Sequence, residues 1–153
     1  RALSLYRVLG NRVGEAKMLS GLAQVASASG QRREAMEHLE HARLLAGRMG
    51  DVDSQAIALC GKALLLSELD QNDLATVEWT QAVRLAVEFD KPELESEVRM
   101  QRGFLLHQRG ELEVAALELG KALVGIAVGA PKRIRVLAHL AGIHAGLEQP
   151  EEA

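Results

Sequence analysis

Apolar residues recur along the chain at spacings of three and four, which is typical of helices with one buried face. The first such segment ends just before Gly30, and its apolar positions are Met18, Leu19, Leu22, Ala23, Val25 and Ala26. The same pattern predicts helices over about 12–29, 32–49, 52–69, 72–89, 112–128 and 131–147, with one more that begins at Pro92. Residues 1–9 fit the end of an earlier helix. The pattern therefore predicts an all-α protein of about eight helices.

Turn residues divide these helices into pairs. One set of turns lies at Gly10, Gly50, Asp90 and Gly129, and the turns inside the pairs lie at Gly30, Asp70, Gly110 and Glu148. Within each set the step is about 40 residues, and self-similarity at such a period indicates a solenoid of helix hairpins. We divide the single domain 1–153 into the end of a preceding repeat (1–10), three repeats (11–50, 51–90 and 91–129) and a partial repeat (130–153).

Both ends of the chain fall within a repeat, and the first residue is Arg1, not Met. Pro150 and the two acidic residues after it are typical of a helix start. From these features we expect an excised fragment of a longer protein.

Small and bulky residues alternate at fixed positions of the repeat. The second helix of each pair has a small, a bulky and another small residue: Ala35, Leu39 and Ala42; Ala75, Trp79 and Ala82; Ala115, Leu119 and Ala122. The first helices carry a small residue at one matching position: Ala23, Ala63, Gly103 and Ala141. Helices approach closely only where side chains are small, so this alternation predicts where the helices of a pair cross.

With Gly30 at the turn, this set of positions resembles the tetratricopeptide repeat family. The resemblance covers essentially the whole chain and implies a right-handed superhelical solenoid of antiparallel helix hairpins. The period, near 40, is longer than the usual 34. The opening Gly10–Ala16 is similar to the extended repeats of multi-repeat bacterial regulators and of some eukaryotic polarity scaffolds. Repeats of the HEAT type, whose period is also near 40, are the structural alternative.

Composition narrows the possible partners and compartments. Lys and Arg total 18 against 21 Asp and Glu, a net charge of −3, so we expect neither a nucleic-acid nor a membrane partner. The single Cys60 cannot form an internal disulfide, which favours a reducing, cytoplasmic compartment. No apolar run approaches the ~20 residues that span a bilayer. Richness in Ala, Leu and Arg favours a bacterial source.

Catalytic and metal-binding patterns are weak in this sequence. His38 and His41, together with Glu34 and Glu37, share a helical face and could suggest a metal site, but a solvated charged face is the better interpretation. His107, His139 and His144 have no evident carboxylate or cysteine partner in the sequence. We therefore predict no enzyme activity, no cofactor and no metal.

A surface for a partner follows from the resemblance, because the first helices of this family line the concave side. By position, the first repeat supplies Lys17, Ser20, Gly21, Gln24 and Ser27, and the second supplies Ile57, Cys60, Gly61, Leu64 and Glu68. The third supplies Glu97, Met100, Gln101, Phe104 and His107, and the fourth supplies Arg135, His139 and Gly142. Ile57, Leu64, Met100 and Phe104 could form an exposed apolar patch that binds a partner, or could pack against neighbouring repeats. Leu64 and Phe104, one period apart, are expected to lie side by side.

We therefore predict a non-catalytic protein-interaction module that binds a peptide or helix of a partner protein in its groove, as part of a larger regulatory or scaffold protein. The alternative is a ligand-sensing or self-association segment of a bacterial signalling or transcription regulator, with contacts between copies through exposed repeat ends.

Overall fold

A computed structural model of the chain describes Ser4 and residues 11–148, and this part is entirely helical, with no strand. Its seven α-helices are α1 (Arg12–Ala28), α2 (Arg32–Met49), α3 (Val52–Glu68), α4 (Asn72–Glu88), α5 (Pro92–Gln108), α6 (Leu112–Ala122) and α7 (Pro131–Glu148), with a 3₁₀-helix at Leu123–Gly125. The all-α prediction is therefore confirmed. Apart from Ser4, which is helical, the predicted end of an earlier repeat lies outside the described residues, and so does the helix start at Pro150.

The helices fall into two compact units, residues 1–89 and residues 90–153. The first unit contains α1 to α4, and consecutive helices within it pack against each other. The second contains α5 to α7, where α6 packs against both α5 and α7. Each unit has its own apolar core.

Turns with a left-handed residue separate the helices. Positive φ angles occur at Gly30, Gly50, Asp70, Asp90, Gly110 and Gly129, so one such residue follows each of the first six helices at an almost constant interval. At Gly30, the N–H of Gln31 donates to the carbonyl of Ala26 at 2.8 Å, which closes the end of α1 as in a Schellman motif. The described turns thus lie where the sequence predicts them, except at Glu148, which is still helical.

The small–bulky–small positions of the second helices are all buried. Leu39, Trp79 and Leu119 lie in the interior of their units, with an alanine on either side. Opposite Leu119, a Cβ atom on Gly103 would lie 2.6 Å from its Cγ, so α5 and α6 approach closely here and a larger residue would require Leu119 to move. The small and bulky positions that the sequence singles out in the second helices therefore lie in the interior of the two units.

The helix predicted over residues 112–128 is shorter than expected. It ends at Ala122, passes into the 3₁₀-helix and becomes extended at Ile126. A Cβ atom on Gly125 would lie 2.6 Å from the carbonyl oxygen of Pro92, so this segment lies directly against the start of α5. Arg133 of α7 then donates through Nη1 to the carbonyls of Leu123 and Ile126. These tertiary contacts replace the helical hydrogen bonds that the sequence alone predicts.

No helix in residues 11–148 is both long enough and apolar enough to cross a membrane.

Candidate functional site

An open cleft of about 210 Å³ lies between α1 and α3 in the first unit. Its lining consists of Ala23, Gln24, Ser27, Ala35, Leu39, Gly61, Leu64, Leu65 and Glu68. The apolar side chains come from α1, α2 and α3, and the polar ones are Gln24, Ser27 and Glu68. We call this feature the α1–α3 cleft.

Two small residues keep the α1–α3 cleft open. Gly61 of α3 faces Leu39 of α2 so closely that a Cβ atom on it would lie 2.6 Å from a Leu39 methyl carbon. Ser27 is the short side chain on the α1 side. The cleft therefore exists because both walls lack bulk, while Leu39 supplies part of its apolar lining.

The rim of the cleft favours a cation beside an apolar group. Gln24 and Glu68 are exposed, and both lie in the last two turns of their helices. The Glu68 carboxylate supplies negative charge at this rim. Leu64, at 37% exposure, offers apolar surface next to that carboxylate.

Several residues predicted to line a groove meet in this cleft, including Gln24, Ser27, Gly61, Leu64 and Glu68. Ile57 is 49% exposed on α3 but does not belong to the lining. Leu64 belongs to the first unit and Phe104 to the second, so their side-by-side placement stays a prediction.

A second constellation, the α5–α7 histidine site, joins His107 of α5 to His139 of α7. Their Nδ1 atoms lie 2.9 Å apart, and their rings meet edge to face. The Phe104 ring lies against His139 with a centroid distance of 4.3 Å. The Arg135 guanidinium lies over the Phe104 ring, 5.1 Å from its centroid. Four residues that the sequence places in the groove are thus brought together.

Proton binding is disfavoured at His139. Partial burial is the main cause that lowers the pKa of His139, and the neighbouring His107 and Arg135 lower it further. An Nδ1–H···Nδ1 hydrogen bond also requires that one of the two nitrogens carries no proton.

Three other predicted groove residues lie on α5. Met100 is 3% exposed and belongs to the apolar core of the second unit, so its prediction as an exposed anchor is wrong. Gln101 Nε2 donates to Glu97 Oε1 at 3.2 Å, and Lys132 Nζ of α7 lies 4.0 Å from the same carboxylate. Glu97 and Gln101 therefore form a polar strip, not an apolar one.

The two sites occupy equivalent positions of the repeat. Helix α5 lies two periods after α1, and α7 lies two periods after α3. The second of the two periods between α3 and α7 is slightly shorter than the others. Ser27 therefore corresponds to His107 and Gly61 to His139, and Gln24 corresponds to Phe104 in the same way. The place that is an open cleft in the first unit is filled by two imidazoles and a phenyl ring in the second.

Ion pairs between first and second helices also repeat. Lys62 Nζ lies 2.9 Å from Glu40 and 2.8 Å from Glu78. One period later, Arg102 pairs with Glu118 at 3.5 Å. The hydrogen bond from Arg43 is the main cause that lowers the pKa of Glu40 to about 2, and Lys62 adds to it against the opposing effect of burial. The Lys62–Glu78 and Arg102–Glu118 pairs were not predicted from the sequence, although the two cations lie one period apart and so do the two carboxylates.

The patterns considered for metal binding or catalysis look different in three dimensions. Within residues 11–148 no three His, Cys, Asp or Glu side chains converge on a common point. His38 Nε2 lies 3.6 Å from Glu34 along the face of α2, and His41 is exposed, as expected for a solvated charged face. Cys60 is buried.

Comparison with known proteins identifies the fold but no family. No protein-family model matches the chain, and no curated protein matches it. Among solved structures, BtubC (BKLC) from P. vanneervenii is similar, with a TM-score of 0.71 at 16% identity. The match covers 89% of this chain and 57% of BtubC, so the chain spans little more than half the length of that protein. At this identity the likeness shows a shared helical fold alone.

Proposed function

We propose that this chain is a non-catalytic protein-interaction module of the tetratricopeptide type, in which antiparallel hairpins form a right-handed superhelical solenoid. Three observations support this proposal: the regular repeat period, the buried small–bulky–small positions and the helical likeness to BtubC. The resemblance assigns α1, α3, α5 and α7 to the concave side. Such a module belongs to a larger regulatory or scaffold protein.

The α1–α3 cleft is the observation that carries this proposal. It offers about 210 Å³ of space with an apolar lining and a few polar groups at its rim, as is usual for sites that anchor one side chain of a peptide. Binding energy in such interfaces is concentrated in a few anchors that fill pockets. We infer that the cleft receives one apolar side chain of a peptide or helix, while the Gln24 amide contacts the peptide backbone.

Charge defines the neighbouring residue of the partner. The Glu68 carboxylate at the rim of the cleft favours a Lys or Arg next to the apolar anchor. The preferred ligand is therefore a peptide with a basic residue beside an apolar one.

Selection from a random peptide library on the purified protein tests this function. We expect enriched peptides to combine an apolar and a basic residue, and Leu64→Asp to weaken their binding by roughly tenfold or more, since hot-spot anchors contribute ~2 kcal/mol or more each. Glu68→Lys should reverse the preference for basic residues while leaving the helices intact, because Glu68 is exposed.

Val77→Asp is the matched control. Val77 is 62% exposed on α4 and lies outside the cleft, so this variant should bind like the wild type. Circular dichroism establishes that each variant is folded. Failure to enrich any peptide, or wild-type binding by both Leu64→Asp and Glu68→Lys, would contradict the proposal.

Self-association is a second candidate, favoured by exposed apolar residues on α7. Ile134 and Leu137 are both exposed there. A contact between copies through this face would suit a self-associating segment of a bacterial regulator. Light scattering coupled to size exclusion distinguishes the two functions, since self-association predicts a dimer that persists on dilution.

A cytoplasmic location is also proposed, because a buried single cysteine suits a reducing compartment. Fluorescence microscopy of the tagged full-length parent protein in its own cells tests it.

A further inference from the structure

The α5–α7 histidine site places two metal-binding groups of different helices within reach of one ion. The Nδ1 atoms of His107 and His139 lie 2.9 Å apart, and imidazole nitrogen is a common ligand of late first-row transition metals. We propose that these two atoms form a binding site for a divalent ion of this class, Ni²⁺ or Cu²⁺, which ties α5 to α7. The site lies in the other unit from the α1–α3 cleft, so it is independent of the peptide-binding function.

The spacing of the two nitrogens is compatible with right-angled coordination of one ion. Imidazole–metal bonds are roughly 2.0–2.1 Å long, so two nitrogens 2.9 Å apart subtend about 90° at an ion bound to both. Right angles between adjacent ligands belong to the square-planar and octahedral geometries of Cu²⁺ and Ni²⁺. Tetrahedral Zn²⁺ would require the nitrogens to move to roughly 3.3–3.4 Å.

Metal binding replaces the hydrogen bond between the rings without any change of oxidation state. In the neutral pair, one Nδ1 carries the shared proton and the other accepts it. Both nitrogens become ligands once that proton moves to Nε2 of its own ring, which leaves two neutral imidazoles and releases no proton. A singly protonated pair releases one proton to solvent as the ion binds.

The surroundings hold the rings but leave the ion accessible. Phe104 packs against one face of His139, and Gly142 is so placed that a Cβ atom on it would lie 3.8 Å from His107 Cε1. Both imidazoles are only partly buried, so water or a donor from a bound partner can complete the coordination. Arg135 is the nearby cation and limits the affinity.

Calorimetric titration of the metal-free protein with Ni²⁺, repeated with Cu²⁺, tests the proposal. We expect saturable binding of one ion per chain, with Zn²⁺ weaker than Cu²⁺. Saturable binding should be lost in His107→Gln and in His139→Gln. Saturable binding should persist in His144→Gln, which removes an exposed histidine of α7. It should also persist in His41→Gln, which removes one of the two closely spaced histidines of α2.

Two further measurements keep the interpretation unambiguous if a variant is less stable. Ni²⁺ should raise the melting temperature of the wild type but not of His107→Gln, because only a site in the folded protein stabilises it. The electron paramagnetic resonance spectrum of Cu²⁺ bound to the wild type should show two imidazole nitrogens, and this signal should be absent from His107→Gln. Absence of saturable binding to the wild type, or its loss in His41→Gln with retention in His107→Gln, overturns the proposal.

Discussion

At the scale of single residues, the repeat determines where bulk is tolerated. Trp79 fills the position that Leu39 and Leu119 occupy in the neighbouring pairs, and all three side chains are buried between two alanines. At Gly61 and Gly103 the opposite helix leaves no space for a methyl group without movement of a leucine. These positions carry the packing of each unit, whereas exposed residues such as Val77 contribute little to it.

Replacement of Trp79 by Ala tests this difference. The variant should lose roughly 3–5 kcal/mol of unfolding free energy, because truncation of a buried aromatic leaves a cavity. Val77→Ala, at an exposed position of the same helix, should stay within about 0.5 kcal/mol of the wild type. Urea denaturation followed by circular dichroism measures both, since Trp79 is the only tryptophan and fluorescence would be lost. Equal midpoints for the two variants would show that Trp79 is not a packing residue.

Glu40 makes the first unit sensitive to acid. Its pKa lies at about 2 in the folded protein, below the ordinary 4.5, so the unfolded state binds a proton first as pH falls. The stabilisation by Glu40 is therefore complete above about pH 4.5 and is lost as the pH falls towards about 2. The side chain is 39% exposed, so solvent screens part of this effect.

Urea midpoints of the wild type and Glu40→Gln, measured from neutral pH down to strongly acidic pH, test this sensitivity. The wild type should have the higher urea midpoint at neutral pH. The difference between the two midpoints should shrink below about pH 4.5. A gap that stays constant over this range would assign the stabilisation to something other than the charge of Glu40.

At the scale of the helices, α7 differs from α1, α3 and α5. In the earlier first helices two repeat positions are buried. The first is occupied by Ala16, Ala56 and Ser96, and the second by Leu19 and Leu59. The equivalent residues of α7, Ile134 and Leu137, are 68% and 47% exposed, and Ala141 is exposed as well. Among the described residues, no second helix covers this face.

Amide exchange should therefore be faster in α7 than in α3. Local opening is easier where fewer apolar side chains are buried, and Leu137 has less cover than its equivalent, Leu59. Exchange measured by mass spectrometry on a dilute sample, where contacts between copies are absent, makes this comparison. Equal protection of the two helices would mean that α7 is stabilised by contacts other than those of a covering helix.

Some helix ends can be predicted from the sequence alone, and others depend on tertiary contacts. Turn residues such as Gly30 and Asp70 predict the ends of α1 and α3 to within one residue, because left-handed turns need particular residue types. The end of α6 could not be predicted, since it depends on the contact of Gly125 with Pro92, which is distant in the sequence. The burial of Met100 could not be predicted either, since, like that of the equivalent Ser20 and Cys60, it depends on how the helices pack.

At the scale of the whole chain, repetition gives candidate sites that sequence patterns do not show. The position that is open between α1 and α3 is occupied between α5 and α7, because Ser27 and Gly61 are replaced by His107 and His139. None of these four residues belongs to a sequence motif that would indicate a binding site. Only the packing of first helix on first helix brings the members of each pair together, so the sequence predicts the lining residues but neither the cleft nor the histidine pair.

The regular spacing of the left-handed turns has a consequence for how the gene can change. Equivalent turns such as Gly30, Asp70 and Gly110 lie one full period apart, so unequal crossing-over between two of them inserts or removes one helix pair and leaves every other residue on its own face. A crossing-over between unlike turns, such as Gly30 and Gly50, shifts the chain by half a period and puts a first helix where a second helix belongs. Viable length variants of this chain should therefore differ by whole helix pairs.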